Sequence, residues 1–166
     1  MAFFLKADAT LLSLLRASPL LSSLVAASLA VIVIVLGPGL ADSGGSIGPT
    51  AGGSLFAAGS AASVISIVFL GRERPDIGDP GRLAVSLYRV TMNRILLGSA
   101  PAPLGAAISV GVGEPAIAII GAGLTIGLMT VLSLTRERLD YWQKDIRERG
   151  SDLDVVEVLS TTFRGR

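Results

Sequence analysis

The sequence predicts an all-α, polytopic membrane protein with four transmembrane helices arranged as two hairpins. Three observations predict it. Hydrophobic residues make up 51% of the 166-residue chain and charged residues only 16%, against roughly 25% charged in soluble domains. Mean hydropathy is +0.67, and the apolar residues are gathered in long blocks. Finally, all 14 Lys and Arg fall on one side of a membrane if the chain crosses it four times.

The first hairpin occupies residues 19–74. Before it, residues 1–18 read as an N-terminal interfacial arm, with Leu11, Leu12, Leu14 and Leu15 beside Arg16. Pro19 suits the first turn of a helix. Residues 20–36, interrupted only by Ser22, Ser23 and Ser28, are just long enough to span ~30 Å of hydrocarbon and form span 1. As a cleaved signal peptide, this stretch would use Lys6 and Arg16 as its basic region. Its apolar core is longer than a usual signal core, which favours a retained span. Residues 37–52 are rich in Gly, Pro and Ser, carry one charge at Asp42, and read as a connecting loop. Span 2, residues 53–70, ends at Arg72-Glu73-Arg74.

Residues 75–94 read as a cytoplasmic linker and an amphipathic helix. Leu83, Leu87, Val90 and Met92 or Ile95 share one helical face, largely opposite Arg89, Asn93 and Arg94. Such a helix is expected to lie in the headgroup region or to pack on the protein's own cytoplasmic segments. The second hairpin covers residues 95–135. Span 3, residues 95–113, contains Pro101 and Pro103. Prolines are tolerated in lipid where the freed backbone groups find partners within the protein, so span 3 should be partly buried by its neighbours. Glu114 and Pro115 make the turn into span 4, residues 116–134.

Residues 136–166 read as a cytoplasmic C-terminal helix and tail. Leu139, Trp142 and Ile146 form a narrow apolar stripe on an otherwise charged segment. The stripe is expected at the membrane interface, where Trp is enriched, or against a partner. Span 4 is expected to continue into this helix, and Gly150 to stop it. With Lys and Arg retained inside, both termini are cytoplasmic, and the expected location is the cell membrane, multi-pass.

The chain has no Cys and no His, so the thiolate and the commonest metal ligand and general base are missing. No nucleophile motif, metal-ligand spacing or phosphate-binding loop is present, so no catalytic, cofactor or metal residue is assigned and an enzyme is not expected. Nucleic acid is not an expected partner. Were residues 104–134 one helix, Glu114 would lie inside the bilayer as an ion-ligand candidate; Pro115 instead favours an outer turn. The spans otherwise carry no charge, which argues against a secondary transporter. Twelve Arg against two Lys, amid abundant Ala and Gly, read as the coding bias of a prokaryotic genome.

Small residues carry the most specific pattern. The stretch Ala57–Asp76 aligns with Gly121–Asp140, with identities at Ala58, Gly59, Leu70, Arg72, Glu73, Arg74 and Asp76. At matching positions, Gly59, Ser63 and Ser66 face Gly123, Gly127 and Thr130. Small-xxx-small faces permit close helix approach in lipid, so these are the expected helix-packing residues, meeting across a pseudo-two-fold along the membrane normal. Arg72, Arg74, Arg136 and Arg138 are candidate contacts for anionic lipid headgroups, or simply mark where the spans stop. The functional expectation is a non-enzymatic accessory or structural subunit of a larger membrane complex. Its partners would be the lipid bilayer and other membrane proteins or copies of itself. The alternative is a small homo-oligomeric, holin-like pore.

Overall fold

The computed structural model of the protein describes residues 10–41 and 47–160. Seven helices order these residues: α1 (Leu11–Ala41), α2 (Pro49–Leu70), α3 (Pro80–Ser99), α4 (Pro101–Val112), α5 (Ala116–Leu132), α6 (Arg136–Glu148) and α7 (Val155–Ser160). Three stretches are long and apolar enough to cross a membrane: Leu11–Leu36, Pro49–Leu70 and Pro80–Val112. A fourth is added if α5 and α6, bent by 50° at a short break, count as one span. The segments 1–9, 42–46 and 161–166, with Lys6, Asp42 and part of the expected N-terminal arm, lie outside the described residues.

The exposure pattern is that of a bundle made for lipid. Leu20, Leu24, Val31 and Val35 of α1, Leu55, Ile65, Val68 and Phe69 of α2, and Ile119, Ile120 and Val131 of α5 are all exposed. Contiguous apolar surface on this scale is rare on soluble monomers. Buried between the helices are small or weakly polar residues, including Ser60, Ser63, Ser109, Thr125, Ala102, Ala118 and Ala122, beside an apolar cluster of Ile67, Ile95, Met129 and Leu132.

Helix α4 is the hub, packing on α5, α1 and α2. The crossing of α4 and α5 is a backbone contact. A Cβ added at Gly121 would sit 2.5 Å from the Pro101 carbonyl oxygen, and one at Gly105 would sit 2.8 Å from the Ile117 oxygen. Only glycine fits at either position. Pro101 and Pro103 donate no amide hydrogen bond, and the amide of Ala102 between them donates to Thr125 Oγ1 on α5 at 3.0 Å. Thr125 is fully buried. This is the partner within the protein that span 3 required, and α3–α4 is also the most buried of the three candidate spans.

Four boundaries differ from those expected. Pro19 lies inside α1 rather than at its start, so the arm and span 1 are one helix. The helix survives because the Ser18 hydroxyl donates to the Leu15 carbonyl (3.2 Å), the acceptor that a proline at position 19 leaves without its amide. The loop expected over 37–52 is shorter, since α1 runs to Ala41 and α2 starts at Pro49, in the favoured first helical turn. The amphipathic helix does not lie apart from span 3. No breaker separates Arg94 from Ile95, so α3 continues into α4 as one long stretch. Finally, span 4 does not run straight on: Ser133 is extended, and Thr135 caps a new helix, its side chain accepting from the Arg138 amide (3.4 Å).

At the Arg-rich end of the bundle the chain closes a second core. Leu11 and Leu15 of α1, Leu83 and Leu87 of α3, Leu139 and Ile146 of α6, and Val155, Val158 and Leu159 around α7 form one cluster. The tail therefore docks on the chain itself. Gln143 pins it, its Nε2 donating to the Leu153 carbonyl (3.0 Å) while its Oε1 accepts from the Val155 amide (2.8 Å). Arg149 fastens the α2–α3 linker by donating to the Pro75 carbonyl (2.8 Å).

Candidate functional site

The expected packing of the two small-residue faces does not occur. α2 packs on α3 and α4, whereas α5 packs on α4, α1 and α3, so the two share α3 and α4 as neighbours and do not meet along their small faces. Gly59 faces the Leu104 side chain of α4. Ser63 is buried and donates to the Gly59 carbonyl of its own helix (3.1 Å), and Ser66 is half-buried. Gly123 and Gly127 have no atom within 4 Å of where a Cβ would lie. Thr130 is exposed, returns its hydroxyl to the Ile126 carbonyl (2.9 Å), and lines a cleft with Arg16 and Pro19 of α1. The physical reason is helix phase. The buried face of α5 is Ala118, Gly121, Ala122, Thr125, Met129 and Leu132. Gly123 lies two residues on from Gly121, about 200° round a helix of 3.6 residues per turn, and so points away.

The apolar stripe of α6 is likewise used within the chain. Leu139 and Ile146 belong to the inner core, covered by α1, α3 and α7 rather than by lipid or a partner. Only Trp142 is part-exposed. Glu114 is exposed in a turn, after Gly113 adopts a left-handed conformation (φ 77°) that ends α4. The single helix that would carry it into the bilayer is broken there. Among the described residues no three His, Cys, Asp or Glu converge as a metal site.

The arginines separate into two kinds. Arg74 and Arg136 are exposed, and Arg72 lies over the Phe69 ring, 5.5 Å from its centre. Arg138 behaves differently. From the first turn of α6 it turns back to the bundle, and its Nη1 donates to the Leu132 carbonyl at 3.1 Å. Opposite it stands Arg94 of α3, a residue that the helical-wheel reading placed largely opposite the apolar face. Both guanidiniums are partly withdrawn from water, and Arg138 is close enough to Arg94 to oppose its charge.

These two side chains line an open cavity of about 430 Å³ with Gly71, Val131, Thr135, Glu137, Tyr141 and Trp142. The Arg94 Nε is buried without a hydrogen-bond partner, and neither arginine forms an ion pair among the described residues. Among the described residues lining the cavity Glu137 is the one carboxylate, and it is exposed. Nothing in this arrangement moves a proton at neutral pH, because arginine stays charged. It presents two cations with unused donors to one space. The signal that could have found Arg94 is its position four residues after Val90, on the edge of the buried face rather than opposite it. Comparison with protein-family models, with curated proteins and with solved structures finds no match to this chain.

Proposed function

We propose that this chain is a non-enzymatic, multi-pass membrane protein with both termini cytoplasmic, serving as an accessory or structural subunit of a larger membrane complex. The observation that carries the reading is the outward face of α5. Among the described residues, a Cβ added at Gly123 or Gly127 would meet no atom of another helix within 4 Å, and exposed Ile119, Ile120, Ile126 and Val131 surround them on the helix. In lipid such small-residue faces favour close approach by another helix. The inner end, by contrast, is covered by the chain's own tail, which leaves the spans as the larger free surface.

The orientation rests on the gathering of Arg at the end that holds α6 and α7, which the positive-inside rule assigns to the cytoplasm. A cysteine at Glu114 should then react with an impermeant thiol reagent in intact cells, and one at Asp79 should not; the reverse pattern inverts the orientation. The subunit role is tested by purification in mild detergent. A stoichiometric membrane partner should accompany the wild type and be lost from Gly127→Leu, while that variant keeps its helical content. If the chain purifies alone and makes liposomes leak a small dye, the homo-oligomeric pore replaces the subunit.

A further inference from the structure

We propose that the cavity between Arg94 and Arg138 is a binding site for a phosphate group, supplied by the headgroup of an anionic phospholipid. Two like charges line one space, and among the described residues neither is paired to a carboxylate. Withdrawing cations from water without a counter-charge is costly, so an arrangement of this kind is completed by an anion. The guanidinium fork matches phosphate geometry better than any other side chain does. Arg94 spends no donor on the protein, and Arg138 spends one, on Leu132. The cavity also opens at the first turn of α6, the positive end of that helix dipole, where anions are favoured. The space is bounded by Tyr141 and Trp142, residue types that favour the headgroup level of a bilayer. Glu137 at the rim faces water and leaves the cavity with a net positive lining.

The charges come from α3 and α6, and Gly71 at the end of α2 closes one wall, its missing side chain leaving room beside the Arg94 guanidinium. Bound phosphate would therefore join three helices at the inner end of the bundle. This inference does not depend on the subunit reading, since it concerns the chain and its lipid alone.

Trp142, the only tryptophan, reports the site directly. The full chain is reconstituted in phosphatidylcholine vesicles containing a small, equal fraction of brominated phosphatidylglycerol or brominated phosphatidylcholine, and quenching of Trp142 is measured. The brominated anionic lipid should quench as though enriched at least about fivefold, the factor expected for one cation near an anionic lipid. Arg94→Gln and Arg138→Gln should each reduce that enrichment severalfold, while Arg74→Gln and Arg136→Gln should preserve it. Titration with inorganic phosphate separates the two sources of the group. Unchanged quenching at millimolar phosphate supports the lipid, and displacement of the brominated lipid assigns the site to soluble phosphate and overturns the lipid assignment. Equal quenching by the two lipids in the wild type overturns the site. So does an equal loss in Arg74→Gln and Arg138→Gln, which would reduce the effect to diffuse surface charge. If an Arg94 or Arg138 variant fails to reconstitute, the other is compared with Arg74→Gln and Arg136→Gln, and a severalfold loss on substituting either exposed arginine overturns the site.

Discussion

Replacing Thr125 by Val tests how a proline-containing helix is kept in the bundle. The two side chains have nearly the same shape, but valine has no acceptor for the Ala102 amide, which Thr125 Oγ1 now receives at 3.0 Å. Thr125 is fully buried and Ala102 nearly so, so no water reaches the amide. An unsatisfied buried donor costs about 1–3 kcal/mol, whereas side-chain hydrogen bonds in membrane proteins average only ~0.6 and reach ~1.7 kcal/mol. The absence of water and the flanking prolines place this case at the upper end of the membrane range, about 1.5 kcal/mol. Thr125→Ser keeps the acceptor and loses one methyl, about 0.8 kcal/mol. Thr130→Val removes a hydroxyl that only returns to its own helix on an exposed face, and should stay within about 0.5 kcal/mol of wild type. Unfolding in mixed micelles, followed by circular dichroism as the denaturing detergent fraction rises, gives the three values. The reasoning fails if Thr125→Val matches wild type, or if Thr125→Ser is the more damaging of the two. Either result would mean that the Ala102 amide returns to an acceptor within its own helix.

Three further outcomes follow from the packing. Gly121→Ala places a methyl against the Pro101 carbonyl and should destabilise the bundle by about 1–3 kcal/mol, while Gly127→Ala, facing open space, should be nearly neutral; the same unfolding assay compares them. Leu159→Ala, at a fully buried position of the inner core, should cost about 2–5 kcal/mol and increase protease cleavage after Arg147 or Arg149. Gln143→Leu removes both bonds that hold the tail, and should speed amide exchange over residues 153–160 while leaving α5 protected.

The membrane character was legible because hydrophobic density and charge segregation are properties of whole segments. Apolar blocks mark α1, α2 and α3–α4, and much of the exposed surface of α1 and α2 is apolar. The inward face of α3 was also legible, since Leu83, Leu87, Val90 and Ile95 share it at helical spacing and all are buried. Helix phase in the purely apolar spans was not. Where every side is hydrophobic or small, periodicity has no contrast, and Gly123 and Gly127 look as suitable for packing as Gly121. The repeat gave a false lead for the same reason, because aligned composition does not keep the buried faces in phase. Residues 63 and 67 are buried in α2 while their counterparts 127 and 131 are exposed in α5. Pro19 misled in a different way: the serine hydroxyl that tolerates it is adjacent in sequence, but its acceptor becomes visible only in the folded helix. The anion cavity depends on Arg94 and Arg138 meeting from distant segments, and no local pattern contains that meeting.

The core at the Arg-rich end joins the beginning of α1 to α7, so its two halves come from segments far apart in the chain. Leu11 and Leu15 are translated well before the Val155, Val158 and Leu159 side chains that cover them. Until α7 is translated this apolar surface stays open, and α7 then acts as a latch. Contacts so far apart in sequence are slow to form, and exposed apolar surface awaiting its cover is prone to aggregate. A C-terminal truncation that removes α7 would leave every predicted span intact and still produce a chain that inserts but does not close.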